Sequence, residues 1–349
     1  MIQASYSKRT LFFKQAAGTS RGVLTEKEVY YLTLTDSENA SKKGVGEIAP
    51  IPKLSPDAVP ELEEQIKKLV RQINKGEAVN QSEWSKFPAV WFGFETALKG
   101  IDSNSPVLLY PSEFTSDKKG IPINGLIWMG SKEFMVQQVE EKLAAGFTCL
   151  KLKIGAIDFE AELDILQSIR DRFPAEQLEI RVDANGAFPA INALSILGKL
   201  SAFNLHSIEQ PIKAGQVKEM RRLCAVTPLP IALDEELIGI AAYNEKAKLL
   251  DEIKPQYIIL KPTLTGGIKA SEEWISLAED RNIGWWITSA LESNIGLNAI
   301  VQWTATLGTS NFQGLGTGAL FTNNIESPLY VSEGYIRYNS NKKWKLESL

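Results

Sequence analysis

A chain of 349 residues is longer than one small domain needs, so it forms either one large barrel-type domain or two domains, each with a full core. Hydrophobic residues at 44%, charged residues at 23% and a mean hydropathy of -0.12 belong to an ordered globular protein and exclude a disordered tail protein or a fibrous one. With 38 basic against 42 acidic residues the formal charge is -4, so no positive excess awaits a phosphate backbone and nucleic acid is not an expected partner.

Residues 1–9 are polar, with only the short apolar run Leu11-Phe12-Phe13 behind them. No later segment approaches the uncharged length that spans a bilayer, so a cytoplasmic protein with no membrane partner is expected. Residues 9–16 and 28–35 read as strands, joined by the mobile connection Gly18-Thr19-Ser20-Arg21-Gly22. Residues 44–52 run into a proline-rich loop. Then 57–74 carries Val59, Leu62, Ile66, Leu69, Val70 and Ile73 at the spacing of an amphipathic helix, and a second helix follows over 88–98. The polar, Gly-containing stretch 112–120 marks a boundary between an α+β capping domain, 1–120, and a second unit, 121–324, with 325–349 returning to the first.

Beyond residue 120, short apolar β-rich runs alternate with helical segments. The runs are 123–128, 149–154, 178–183, 205–209, 231–234, 257–261, 284–288 and 312–316. Strands recurring every ~25 to 30 residues predict an α/β fold with a parallel (β/α) barrel. Helical periodicity over 131–146 and 159–173 supports this. The competing doubly wound sheet needs a Gly-rich phosphate turn, and Gly125-Leu126-Ile127-Trp128-Met129-Gly130 lacks that form.

Cys149 and Cys224 stand far apart without metal-ligand or redox spacing, which predicts two buried thiols and no disulfide framework. The single histidine, His206, excludes His-rich zinc sites and leaves any triad to route through one residue. Chemistry concentrates instead at strand ends, where barrels place active sites. Asp183, Glu209 and Asp234 close consecutive strands, one βα repeat apart, and so converge at one rim. Three convergent carboxylates repel unless a cation lies between them, and an oxygen-only set suits Mg²⁺, with Mn²⁺ as the variant, better than zinc. The bland alternative is three separate charges capping neighbouring helices. In Lys151-Leu152-Lys153 both lysines face one side, and Lys261 ends a strand on the opposite side of an eight-stranded barrel. Beside a dication and one another such lysines have depressed pKa values and serve as general bases, whereas a lone strand-end lysine is merely solvated.

The set Lys151-Leu152-Lys153, Asp183-Ala184-Asn185, Glu209-Gln210-Pro211, Asp234-Glu235 and Lys261-Pro262 resembles the enolase superfamily, in the subgroup with lysines on both barrel faces. That subgroup includes muconate cycloisomerases, dipeptide epimerases, N-succinylamino acid racemases and o-succinylbenzoate synthases. The resemblance spans nearly the whole chain and implies a modified TIM barrel with an α+β capping domain. It implies Mg²⁺ on Asp183, Glu209 and Asp234, a small-molecule carboxylate substrate, and Lys153 and Lys261 as catalytic residues on opposite faces of that substrate. Lys151 and Asn185 would bind the substrate.

Within the subgroup, Gly314-Leu315-Gly316-Thr317-Gly318 stands where dipeptide epimerases typically carry an Asp-x-Asp motif. Backbone amides at Gly314 and Gly316, with Ser289, would then receive an anion; the alternative is that the glycines only close a tight turn. Two further segments, Gly46-Glu47-Ile48-Ala49-Pro50-Ile51-Pro52 and Thr288-Ser289-Ala290-Leu291-Glu292-Ser293-Asn294-Ile295-Gly296, resemble the o-succinylbenzoate synthases in particular. That likeness implies a lyase of menaquinone biosynthesis, with racemisation of N-succinylamino acids or epimerisation of dipeptides as the alternative. The loops 18–21 and 49–53 are expected to close over the barrel mouth. A non-catalytic barrel that binds a carboxylate ligand or a protein is the remaining reading. Retention of every carboxylate and lysine argues against it, and no protein partner is implied.

Overall fold

The computed structural model describes residues 1–19 and 22–346. The N-terminal region opens on an antiparallel meander of β1 (Ile2–Thr19), β2 (Gly22–Asp36) and β3 (Lys43–Ile48). Both long strands exceed their predicted spans, because pairing from Ile2 with Asp36 outward holds the polar ends as well. Ser20 and Arg21 of the expected mobile connection lie outside the described residues.

Helices α1 (Leu62–Asn74) and α2 (Pro88–Asp102) cover one face of this sheet, with Leu62, Ile66, Leu69 and Ile73 on the buried stripe of α1. Helix α1 starts later than the periodicity suggests. Asp57 is instead fully buried, and its carboxylate accepts the Ala89 and Val90 amides at the start of α2, at 2.8 and 3.2 Å. Contact between β3 and α2 is set by small residues. A methyl group added at Gly44 would lie 1.8 Å from the Ala97 carbonyl oxygen, and one at Gly46 would lie 1.8 Å from that of Gly93.

A two-residue strand β4 (Ile121–Pro122) leads into a parallel sheet of seven strands. These are β5 (Gly125–Ile127), β6 (Cys149–Lys153), β7 (Glu179–Asp183), β8 (Ser207–Glu209), β9 (Ile231–Leu233), β10 (Tyr257–Leu260) and β11 (Gly284–Ile287), adjacent in chain order. Helices α3 (Lys132–Ala144), α4 (Phe159–Arg170), α5 (Ala190–Ser201), α6 (Val217–Val226), α7 (Tyr243–Ile253), the short α8 (Pro262–Thr265), α9 (Gly267–Glu279) and α10 (Asn294–Thr304) alternate with them. Residues such as Leu150, Leu152, Ile180, Val182 and Ile208 join the helices in one core, while the alternate positions face the barrel axis.

The expected eighth strand over 312–316 is reduced to two single bridges, Gln313 with Ile123 and Gly314 with Thr288. They nonetheless close the barrel. The Gln313 amide donates to Pro122 at 2.9 Å and the Gly314 amide to Ile287 at 2.8 Å, so this segment joins both edges of the sheet. Only glycine fits at this crossing, since a Cβ at Gly314 would fall 2.4 Å from the Thr288 hydroxyl. The buried Gln313 side chain supplies the missing ladder, its oxygen accepting from the Ile287 amide at 2.7 Å and its amide donating to Asn311 at 2.7 Å.

A final hairpin, β12 (Leu329–Ser332) and β13 (Tyr335–Tyr338), pairs with β4 at the foot of the barrel, while Trp344 and Leu346 pack with Leu11 and Phe13. Cys149 and Cys224 are free and buried. His206 precedes β8 at the foot of the barrel and stacks on Tyr257, away from the strand ends that carry the carboxylates. Among the described residues no helix is long and apolar enough to cross a membrane.

The β3–α2 contact yields a stability prediction. Gly46→Ala forces a methyl group into a backbone carbonyl that has no room to move, and should lower unfolding stability by about 3 kcal/mol in urea titration. A change within experimental error would show that β3 and α2 separate freely.

Candidate active site

Strand register brings the charged residues together. Lys153 pairs with Asp183 and Asp183 with Glu209 across β6, β7 and β8, so their side chains leave the sheet on its inner face at one height. Glu209 pairs with Ala232, which puts Asp234 two residues further along and on the same face, at the end of β9. Lys261 follows β10 directly.

Asp183, Glu209 and Asp234 are 1%, 2% and 3% exposed, so none is hydrated enough to hold its charge without a partner. Lysines supply the partners. Lys151 Nζ lies 2.9 Å from Asp183 Oδ2 and also contacts Glu209 Oε2. Lys153 Nζ lies 3.1 Å from Asp183 Oδ2 and donates to Asn185 Oδ1 at 2.6 Å. Lys261 Nζ contacts Asp234 Oδ2 and lies 3.6 Å from Glu209 Oε1, an oxygen that has no hydrogen-bond partner.

These pairings divide the carboxyls electrostatically. Burial opposes ionisation of Asp183, but Lys151, Lys153 and Lys261 outweigh it and hold its carboxyl below the ordinary value. Burial, and then the charge of Asp183, push Glu209 up to about 7 despite Lys151 and Lys261. Burial likewise raises Asp234 against the pull of Lys261. The expected depression of the lysines is not found. Burial lowers Lys151 and Lys261, yet the surrounding carboxylates reverse this and leave both above their ordinary value.

The donor set fits a hard divalent cation. It offers buried carboxylate oxygens only, one of them without a hydrogen-bond partner, and burial together with the charge of Asp183 raises Glu209. In this conformation the cations between the carboxylates are the ammonium groups of Lys151 and Lys261. Accordingly, among the described residues no three acidic, His or Cys side chains enclose a metal-sized space. A metal would take the ammoniums' place against the same oxygens.

Two residues of the strand-end motifs make contacts that the sequence does not give: Gln210 has no role assigned there, and Asn185 only a place against the substrate. Gln210 (φ 40°) is fully buried; its side-chain oxygen accepts from Asp234 and Glu236 amides at 3.2 and 3.3 Å, tying the end of β8 to the turn that carries Asp234. Glu235 accepts from Asn185 Nδ2 at 3.1 Å, so Asn185 (φ 44°) bridges Lys153 and Glu235. In both cases the neighbouring carboxylate draws attention to the motif, but only the left-handed backbone shows what the second residue does.

The expected anion site is corrected in part. The Gly314 amide is committed to Ile287 in closing the barrel and cannot receive a ligand. The Ser289 hydroxyl is tied to the Gly314 carbonyl at 3.1 Å and to Thr317 at 2.8 Å, while Gly316 lies exposed at the surface. The 49–53 loop is not a free lid either. Ala49 and Ile51 are buried, and the Ile51 amide donates to Ser55 at 2.7 Å. A cavity of about 360 Å³ lies elsewhere, between Trp84, Trp91, Tyr243 and Leu264, and holds none of the convergent charges. Charge convergence, not volume, locates the chemistry.

Comparison with known proteins identifies the family. A family profile described as "Enolase C-terminal domain-like" matches residues 134–342, and one described as "MenC, N-terminal domain" matches 17–101. The o-succinylbenzoate synthase of Desulfotalea psychrophila is 46% identical, over 96% of this chain and 98% of that protein. The crystal structure of MenC from the same organism aligns with a TM-score of 0.85 at 44% identity, covering 96% of this chain and 99% of that one. A substrate-liganded L-Ala-D/L-Glu epimerase from Bacillus subtilis aligns with a TM-score of 0.80 at 18% identity, covering 96% and 95%, which shows the shared fold alone. Enzymes of this superfamily use a divalent metal. With the strand-end carboxylates and lysines in register and both halves of the chain matched, this protein belongs to the o-succinylbenzoate synthase family of the enolase superfamily.

Proposed function

We propose that the chain dehydrates 2-succinyl-6-hydroxycyclohexadiene carboxylate to o-succinylbenzoate in menaquinone biosynthesis, with Asp183, Glu209 and Asp234 holding Mg²⁺. The observation that carries this is the convergence of three buried carboxylates and three lysines on one rim, in a chain 46% identical to an o-succinylbenzoate synthase. Mg²⁺ supplies the positive charge that lets a carboxylate-bearing carbon lose its proton near neutral pH.

The chain's own residues divide the rest of the work. Lys153, oriented by Asn185, removes the α-proton and returns it to the departing hydroxyl, as a syn elimination with a single acid/base group permits. One C–H and one C–O bond break, water leaves, and the ring becomes aromatic. Lys261, kept charged by Asp234 and Glu209, stabilises the anion from the other face, and Lys151 binds the substrate carboxylate. Asn185 also touches the substrate edge. The Gly316 amide serves the succinyl tail, and Ser289 joins it by exchanging its bond to the Gly314 carbonyl for one to the ligand, with Gly314 limited to shaping the wall. Two lysines on opposite faces favour N-succinylamino acid racemisation as the second reading, Lys261 then acting as the other base. The division into 1–120 and 121–324 is part of this proposal, as is action on a small carboxylate without a protein partner. A cytoplasmic location is supported by two free, buried thiols, which suit a reducing compartment.

Lys153→Arg keeps the charge but removes a competent base, and should lower kcat for dehydration by roughly a thousandfold. Wild-type turnover in that variant would transfer the role elsewhere. Measured side by side, kcat/KM should be much larger for the cyclohexadiene than for racemisation of N-succinylamino acids; the reverse order would promote the second reading.

The metal assignment has a pH signature. Because Glu209 holds its proton up to about 7 in the folded chain, ionising it costs stability, and that cost sets in above the ordinary carboxylate range and is complete above about 7. A divalent cation favours the ionised form and removes the cost. Added Mg²⁺ should therefore raise Tm more at about pH 8 than at about pH 5, and Glu209→Gln should erase the difference. Equal shifts at both pH values would remove Glu209 from the ligand set.

A further inference from the structure

Two glutamates of the N-terminal region spend their carboxylates on helices of the barrel. Glu47, on β3, is fully buried; its Oε1 accepts from the Ser293 amide at 2.7 Å, and its Oε2 from the Ser293 hydroxyl at 2.6 Å and the Gly296 amide at 2.7 Å. Ser293 is the N-cap of α10, so a carboxylate from another part of the fold takes up the cap's own amide and the Gly296 amide of the first turn, while the Asn294 and Ile295 amides go to Asn324 and Ser293. The same arrangement recurs one repeat earlier. Glu95, on α2, accepts from the Ile268 and Lys269 amides at 2.5 and 3.0 Å, at the start of α9, which has no side-chain cap of its own. Glycines make both approaches possible. A Cβ at Gly296 would lie 2.9 Å from Glu47 Oε2, and one at Gly267 would lie 2.3 Å from Glu95 Oε2.

Both helices carry the active-site rim at their N-terminal ends. The 288–293 loop runs from β11 to Ser293, and within it the Ala290 and Leu291 carbonyls accept from the buried Lys27 Nζ at 3.1 and 3.0 Å, which holds Leu291 at φ 62°. Glu292, fully buried, accepts from the Ala290 amide at 2.6 Å and from the Thr263 hydroxyl. Thr263 belongs to α8, the turn that begins at Lys261 and leads into α9.

We propose that Glu47 and Glu95 are positioning residues for the reaction: by capping α10 and α9 from outside the barrel, they fix the 288–293 loop and the Lys261 turn relative to Lys153. This rests on the assignment of Lys153 and Lys261 as the reacting pair. It also makes the N-terminal sheet and α2 a fixed wall of the site and not a lid that swings as a unit. The two segments that most resemble o-succinylbenzoate synthases, 46–52 and 288–296, are then the two halves of one clamp.

The test compares Glu47→Gln, Gly296→Ala and the double variant by hydrogen–deuterium exchange, Tm, and kcat and KM for dehydration. Each single variant should raise amide exchange in 261–268 and 288–298 by roughly tenfold with the rest of the barrel unchanged, and should lower kcat more than it raises KM. The double variant should be no worse than Gly296→Ala, because the added methyl crowds both Glu292 and Glu47 and so already breaks the contact that Glu47→Gln removes. Glu95→Gln should loosen 261–268 alone. Lost turnover with unchanged exchange in these segments overturns the proposal, as do loosened segments with wild-type kcat and KM, or additive losses in the double variant. A uniform rise in exchange or failure to fold moves the decision to Ser293→Ala, which removes the hydroxyl's bond to Glu47 and its cap on the Ile295 amide; that variant must show a rise that reaches 261–268, beyond the first turn of α10 that the lost cap loosens, and its absence rejects the clamp. If the wild-type chain does not dehydrate the cyclohexadiene, the functional reading fails, while the exchange data still decide whether Glu47 and Glu95 set the two segments.

Discussion

Everything at the barrel rim follows from placing three carboxylates where water cannot reach them. An isolated buried carboxylate is held at a cost of several kcal/mol, and removing one partner of a buried pair costs about 3–5 kcal/mol, so Asp183, Glu209 and Asp234 cannot all be ionised there without cations. Lys151, Lys153 and Lys261 meet that requirement within the chain, and a divalent cation meets it from outside. The same electrostatics explains why Glu209, central in the row and facing Asp183, is driven up while Asp183, which faces three lysines, is driven down.

Holding such a cluster demands a stiff frame, and the barrel achieves closure without a complete eighth strand. Gln313 replaces ladder hydrogen bonds with its side chain, and Gly314 fits under Thr288 only because it has no Cβ. Arg181, buried below Asp183 on β7, contributes from inside the barrel: it donates to the Phe312 carbonyl at 3.0 Å and stacks over Trp286. Closure therefore adds side-chain hydrogen bonds to the few backbone bonds that Gln313 and Gly314 make with the two sheet edges. This explains how a segment with two glycines in three residues can serve as a structural element.

The N-terminal region adds rigidity from the other side. Gly44 and Gly46 let β3 lie directly on α2, and that close packing carries Glu47 and Glu95 to the barrel helices. Gln302 of α10 extends the contact by accepting from the Leu109 and Tyr110 amides at 2.9 and 3.0 Å, which anchors the connection between the two regions.

Much of this was legible in the residues alone. Period-two alternation in Lys151-Leu152-Lys153 and the recurrence of Asp183, Glu209 and Asp234 once per βα repeat determined the barrel, its rim and its charges, because strand periodicity dictates which face a side chain takes. The preference of buried oxygen donors for a hard cation followed from composition, with one histidine and no paired cysteines. What only the tertiary structure decided were the interactions between residues distant in sequence. These include the Gly314 amide consumed by Ile287, Gln210 and Asn185 tying their neighbours through side-chain hydrogen bonds, Lys151 and Lys261 raised instead of lowered, and Glu47 reaching a helix 246 residues away. Local pattern fixes the direction a side chain leaves the backbone, but whether a donor is free or a charge is neutralised depends on which groups the folded chain brings within hydrogen-bonding distance.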